Sequence, residues 1–430
     1  MKNNRRNFLK IAALGCGAAV FSPFAAIADE KKSKISIPDY SALDKVLRLP
    51  VLRQELFSSP VIIEKIELLR DRKNFICRVT SKDGAVGLSV GHPNISHLSY
   101  PLFIEIIIPY FTGKDARNLD ELIYKISQGN VKKQGVPFNV QLATLEFAIL
   151  DMLGNIAGIP SGNLLGNIKN REISIYLGHF LNEFRKKEPE VSLDLMYHDV
   201  QETKAKAIKI RAGRGDNLAS DIDNAPGRTE KLIRLAREKF GDDMVLMIDG
   251  NGSYSVKEAI RIGKILEEYK YYFYEEPIPW DWYQEQKEVE QALTIPMAGG
   301  EEEFGMHAFR YLIGNQVFQI VQPDLFYFGG MTRTMQVARM AEAAGLRTTP
   351  HISEGGLGFL YMLQMTSVCP SLEKYNEFKM FKTRDANGTN IPIESKAEKF
   401  ESINGVIRIP SGIGMGVIID PDYIKTHKPM

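Results

Sequence analysis

The sequence predicts an α/β fold: a TIM-type (β/α) barrel of seven full units and one modified unit, (β/α)7β, preceded by a smaller α+β domain. Three observations carry this. From residue 172 onward, short apolar runs bounded by turn residues alternate with amphipathic helical stretches, the pattern of buried parallel strands joined by crossover helices. Three successive runs, VLMID, FYEE and IPMAGGE, bring carboxylates at Asp249, Glu275 and Glu301, in equal steps of 26 residues (275 − 249 and 301 − 275). That step is the length of one strand, one helix and two loops. From Val61 to the barrel the pattern differs, strands first and helices after, as in a separate small domain.

In chain order, residues 1–28 read as an export signal. Arg5 and Arg6 precede Phe8, Leu9 and Lys10, an apolar run follows, and Ala26-Ile27-Ala28 offers a small-x-small cleavage site. This is a twin-arginine pattern and predicts a periplasmic protein exported already folded. Cys16 after Leu14-Gly15 keeps lipoprotein anchoring open as an alternative. No later stretch reads as long and apolar enough to span a bilayer. Residues 29–60 are a polar, proline-containing lead-in segment with one short helix.

Residues 61–168 form the α+β domain. VIIEKIELLR, FICRVTSKDG and AVGLSVGHP are strands, with Lys82-Asp83-Gly84 as a hairpin turn. LFIEIIIPYF, LDELIYKIS and VQLATLEFAILDMLGNIAG are helices, and the Gly91-His92-Pro93 loop is placed to close over something. Residues 169–395 form the barrel. ISIYLG is strand one, AIKIR two, VLMID three, FYEE four, IPMAGGE five, QIVQPD six and RTTPH seven, and SVCPSLEKYNEF supplies eight. Residues 396–430 are β-like and glycine-rich, a C-terminal segment expected to pack back on the first domain.

Net charge is +1, with 25% charged and 44% hydrophobic residues, an ordinary globular balance that gives no sign of nucleic-acid binding. Cys77 and Cys369 lie in apolar context and are expected as free buried thiols.

Barrels of this kind carry their chemistry at the C-terminal ends of the strands. Three hard oxygen donors converging there repel one another unless a cation sits between them. Mg²⁺ suits the set, because it binds a few carboxylates and keeps its other positions for water or substrate oxygens. The competing reading is that each acid caps the helix after it. Asp324 ends QIVQPD and His351 ends RTTPH on the adjacent strand. A carboxylate behind an imidazole fixes its tautomer and keeps it useful as an acid or base, although an ordinary buried histidine bonded to an acid has the same pattern.

Taken together these residues resemble the enolase superfamily, on its mandelate racemase/muconate lactonizing enzyme-like branch, sugar-acid dehydratase-like. The resemblance runs from Val61 to Ile424. It rests on LEFAILDMLGNIAGIPSGNLLG before the barrel, AIKIRAG on strand two, IDGN, YEEP and GGE on strands three to five, QPD on six, PH on seven, and PSGIGMGVIID at the end. It implies an α+β domain capping a modified barrel, Mg²⁺ held by Asp249, Glu275 and Glu301, and His351–Asp324 as the acid–base dyad. The implied reaction is abstraction of a proton next to a carboxylate, with the metal and a cation stabilising the enediolate.

The resemblance also implies Lys-x-Lys on strand two, where this chain has Lys209-Ile210-Arg211. Lys209 then meets the substrate carboxylate. Arg211 stands where a second base is often a lysine, and a guanidinium holds its proton, so two-base racemisation loses support. Solvated rim charges are the competing reading of both residues. An electrophilic acid is implied on strand eight, where Glu373 and Glu377 share parity and both are candidates. Asn251, Glu276, Trp280, Asp281, Trp282, His92 and Tyr100 are weaker candidates around the mouth. GIGMG near the C-terminus lacks the lysine and the strand–helix context of a phosphate loop.

The expected function is Mg²⁺-dependent dehydration of an aldonate or aldarate to a 2-keto-3-deoxy acid. A racemase, epimerase or cycloisomerase is the alternative within enzymes, and a catalytically silent, exported carboxylate-binding protein the alternative outside them. The expected partners are a small-molecule carboxylate and further copies of the chain in a homo-oligomer.

Overall fold

The computed structural model describes residues 38–179, 188–379, 392–395 and 400–430. The export signal, with Arg5, Arg6 and Cys16, lies outside the described residues. Within the lead-in, α1 (Ser41–Leu47) docks on the barrel's outer helices: Asp44 pairs with Arg310 at 2.6 Å, and that guanidinium lies 3.9 Å over the Tyr40 ring.

The cap is an antiparallel meander of β1 (Ile63–Asp71), β2 (Asn74–Ser81) and β3 (Val86–Val90). The expected hairpin turn falls between β2 and β3. The first helix starts earlier than LFIEIIIPYF suggests. α2 (Pro93–Leu102) begins at His92, whose side chain caps it, with Pro93 in the first turn, where its missing N–H costs nothing. After Pro101 the chain widens into a π-turn over Phe103–Ile107 and ends in Ile108–Phe111. Gly91-His92-Pro93 is therefore a buried corner, with His92 only 4% exposed.

α3 (Leu119–Gly129) and α4 (Val136–Ala157) complete the cap. α4 corrects one expectation. By length and composition it is apolar enough to cross a bilayer, but 83% of its apolar window is buried in the protein, as in a core helix. β3 packs so closely on it that a Cβ at Gly87 would lie 2.1 Å from the Ala148 carbonyl oxygen.

The barrel strands are β4 (Glu172–His179), β5 (Ala207–Arg211), β6 (Val245–Asp249), β7 (Tyr274–Glu275), β8 (Met297–Gly299), β9 (Ile320–Val321), β10 (Arg347–Thr348) and β11 (Tyr375–Phe378). They form one curled parallel sheet in the order β10-β9-β8-β7-β6-β5-β4-β11. Thr348 bridges Leu372, just ahead of β11, and so brings the two ends of the sheet together. Helices α5 (Pro189–Thr203), α6 (Arg228–Phe240), α7 (Val256–Glu268), α8 (Tyr283–Ala292), α9 (Met306–Gly314), α10 (Met331–Ala343) and α11 (Leu357–Val368) fill the seven connections. This is the (β/α)7β arrangement. Strand eight is shorter than SVCPSLEKYNEF, because Ser367 and Val368 still belong to α11.

The cap is joined to the barrel by Glu146 of α4, which accepts the Met331 and Thr332 N–H groups at the start of α10. Gly330 is obligatory there: its φ is 114° and a Cβ would lie 1.9 Å from Glu146 Oε2. In the C-terminal segment, β12 (Ile393–Ser395) pairs with β14 (Val417–Ile419), β13 (Val406–Arg408) pairs with β4, and β15 (Lys428–Pro429) adds to the cap sheet beside β1. Cys77 and Cys369 are buried and free.

Candidate active site

Parallel pairing sets the first row of the site. Arg211, Asp249 and Glu275 are register partners on β5, β6 and β7, side by side at the C-terminal edge of the sheet. Beyond this row the chain leaves the strand conformation: Asn251 has φ 46°, Glu276 φ 35° and Gly300 φ 106°. Left-handed backbone at a non-glycine residue costs on the order of 1–3 kcal/mol and concentrates at functional sites. It ends β7 and β8 early, so that Glu301 stands in the loop just past β8.

The two cations of β5 hold two of the expected metal ligands. Lys209 and Glu275 are both fully buried and ion-paired, and Gln322 Nε2 donates to the other Glu275 oxygen at 2.9 Å. Arg211 donates to Asp249 Oδ2 at 2.8 Å and to Asn251 Oδ1 at 3.2 Å. The carboxylates whose oxygens come within 4.8 Å of one another are Glu276, Glu301 and Glu302, so only Glu301 of the expected trio lies in the tightest cluster among the described residues. Asp249 and Glu275 instead pair with Arg211 and Lys209.

On the opposite wall, His351 Nδ1 lies 2.7 Å from Asp324 Oδ2. Asp324 is fixed in turn by the Phe326 and Tyr327 N–H groups, each 2.8 Å from Oδ1. His351 Nε2 faces the mouth, 3.3 Å from Glu301 Oε2 and 3.6 Å from Glu377 Oε2. Lys379 Nζ sits 3.0 Å from the same Glu377 oxygen.

Of the two strand-eight candidates the structure brings in Glu377 alone. Glu373 is corrected: it lies at the other end of the barrel, bonded to the Tyr272 hydroxyl at 2.6 Å. Parity was right for both, but four residues of strand displace Glu373 by about 13 Å along the barrel axis. Tyr100 is also corrected, since it stacks on Phe75 and Arg70 within the cap. Trp280 packs against Phe304, and Trp282 is exposed. Sequence reasoning missed Gln322, Glu302, Glu354 and Lys379. Gln322 and Lys379 carried a signal, each two residues from a chosen site residue, the spacing that shares a face in an extended chain.

The charges are strongly coupled. Burial pushes Glu275 up to about 8, with Asp249 and Glu301 adding to the rise and Lys209 opposing it. Burial works against the Lys209 ammonium too, but the surrounding groups, Glu275 first, hold it protonated well above its usual range. Arg211 behaves likewise beside Asp249 and Glu301. Burial pushes Glu302 up to about 8, with Glu301 and Asp249 adding to the rise and a hydrogen bond with Glu276 opposing it, and burial lifts Glu276 well above the usual carboxylate range, with Glu302 and Glu301 adding. At Glu301 burial is overcome by His351, Lys209, Arg211 and Lys379, which hold it down at about 2. At His351 burial is outweighed by Glu301 and Asp324, which raise the imidazole to about 9.

This donor set fits a divalent hard cation. It consists of carboxylate oxygens crowded out of water, and Glu302 Oε2 is buried without a hydrogen-bond partner among the described residues.

The model of the family "Enolase C-terminal domain-like" matches residues 195–423. The chain belongs to this family. Within the enolase superfamily it lies on the mandelate racemase/muconate lactonizing enzyme-like branch. D-galactarolactone cycloisomerase of Agrobacterium fabrum is 25% identical over 365 residues, 83% of this chain and 92% of that protein. Arabinonate dehydratase of Saccharolobus solfataricus is 24% identical over 75% of this chain and 82% of its own. A mandelate racemase/muconate lactonizing protein from Paracoccus denitrificans, solved in complex with magnesium, superposes with a TM-score of 0.75 at 25% identity, covering 86% of this chain and 98% of its own. Sugar-acid dehydratases and cycloisomerases of the superfamily are thus the relatives of this enzyme, and they support the same general kind of reaction.

Proposed function

We propose that this chain is a hydro-lyase that converts a 2,3-dihydroxy sugar acid into a 2-keto-3-deoxy acid. The observation that carries the reading is the asymmetry of the mouth. One wall presents an imidazole with a carboxylate behind it, 2.7 Å from Nδ1. The other presents Arg211, tied to Asp249 and Asn251, and a Lys209 held protonated by Glu275. Among the basic side chains of the two walls, His351 alone is of a type that exchanges a proton near neutral pH.

On the strand spacing and the family resemblance, Asp249, Glu275 and Glu301 would hold Mg²⁺. When bound, the ion supplies positive charge to the oxygens of the substrate carboxylate. Lys209 meets that same carboxylate. His351 Nε2 takes the proton from C2, and the electrons of the broken C–H bond form the double bond of the enediolate. The C3–O bond then breaks, and the oxygen leaves as water with a proton from the His351 imidazolium or from Glu377, each within reach of the same space. The enol collapses to the 2-keto acid. Net change is loss of one water. His351 serves as a base only when the charge of Glu301, which otherwise keeps a proton on it, is engaged elsewhere.

The twin-arginine pattern of residues 1–28 supports action in the periplasm. The test is a screen of purified, Mg²⁺-loaded protein against aldonic and aldaric acids for a 2-keto product. Binding of such acids without turnover would favour the silent carboxylate-binding alternative.

A further inference from the structure

The cap reaches the turn beside the dyad through Asn139 and Phe147 of α4, which contact Tyr327 and Phe326, and through His92, which also meets the segment after His351. His92 Nδ1 accepts the Ile95 N–H at 3.3 Å, which fixes the tautomer with hydrogen on Nε2. Nε2 lies 3.3 Å from Glu354 Oε1 across the cap–barrel boundary, with the two side chains 4% and 6% exposed. The contact is close but not aligned as a full hydrogen bond. The ring also stands edge-on to Phe326 at 5.6 Å and tilted on Tyr327 at 5.8 Å. Those two residues supply the N–H groups that grip Asp324. Glu354 follows His351 by three residues. One imidazole of the cap therefore touches both chain segments that carry the dyad.

We propose that His92 is a positioning residue that sets the alignment of His351 and Asp324 from the cap side. It touches no reacting atom. It acts on Asp324 through the turn at Phe326 and Tyr327, and on His351 through Glu354. The inference rests on the dyad being the proton-transfer pair. The alternative is a histidine that only fills the boundary and caps α2. That role would lower stability on mutation and leave the dyad as it is.

The test is NMR of the Mg²⁺-loaded full chain labelled with ¹⁵N-histidine, reading the His351 Nδ1–H resonance. His351→Asn assigns the signal. His92→Asn keeps a helix-capping side chain and removes the ring and Nε2. In His92→Asn the His351 resonance is expected to shift or broaden away, with a smaller shift in Glu354→Gln. With a pool of pentonates and hexonates in D₂O as the probe, α-proton exchange is expected to slow about 10-fold while the KM of the exchanging acid stays within about twofold. An unmoved His351 resonance in folded His92→Asn overturns the proposal, even if stability falls. If His92→Asn does not fold, Glu354→Gln decides from the other side, and an unmoved resonance there overturns it equally. A failure of His351→Asn to remove any Nδ1–H signal strikes the dyad itself, and so the proposed function rather than this coupling.

Discussion

The two walls of the mouth are built from the same material, ionisable side chains at strand ends, yet they are prepared for different work. On the β5–β7 wall each cation is matched to a carboxylate: Lys209 to Glu275 and Arg211 to Asp249. On the β9–β11 wall the imidazole sits among three carboxylates, Asp324, Glu301 and Glu377. On the proposed reading the first wall binds and polarises charge. The second, on the same reading, holds the proton that moves. The difference teaches that the count of charged groups in a site says little about its chemistry, and that which groups can change charge at working pH decides it.

The largest effect expected on this contrast comes from removing the shared negative charge of the first wall. Calorimetry of Glu275→Gln should show Mg²⁺ binding weakened by at least about 10–100-fold, with turnover lost. Mg²⁺ binding in the Asp249, Glu275 and Glu301 triple amide variant as tight as in the wild type means that the ion sits elsewhere, with Glu276 and Glu302 the first places to look. Next is the second wall. His351→Asn should retain substrate binding and lose at least about 10²-fold in turnover, the size of a general acid–base contribution. A smaller loss moves the base to β5.

Strand eight then gives a matched pair. Glu377→Gln should slow turnover about 10-fold or more, since its carboxylate lies 3.6 Å from His351 Nε2, while Glu373→Gln should stay within about twofold. Equal losses would remove the assignment of Glu377. The smallest effect concerns the guanidinium. Arg211→Lys should cost about 10-fold, because a point charge cannot reproduce the fork on Asp249 and Asn251. It should yield no C2 epimer. Epimer formation in that variant means that the guanidinium alone was holding back a second base.

Much of this was legible in the sequence, and the reasons are specific. Equal spacing pointed to successive strand ends, because a (β/α) unit has a characteristic length, and Asp249 and Glu275 do end β6 and β7, while Glu301 falls just past β8. Asp324 and His351 were legible as the ends of adjacent strands. What was not legible depended on distance along a strand or across the domain boundary. Glu373 and Glu377 have the same parity, and only the start of β11 at Tyr375 separates the mouth from the floor. The pairing of Asp249 with Arg211 and of Glu275 with Lys209 is settled among buried charges, which no spacing reveals. His92 and Glu354 are 262 residues apart (354 − 92), and nothing local in either stretch signals that they meet.

One-base chemistry is tested most directly by proton NMR of the product formed in D₂O. Dehydration predicts a 2-keto acid with solvent deuterium at C3, delivered when the enol collapses, and no recovered C2 epimer. Recovery of the C2 epimer carrying deuterium at C2, without a keto acid, would contradict it. That outcome would make Lys209 a second base on the wall described here as fixed.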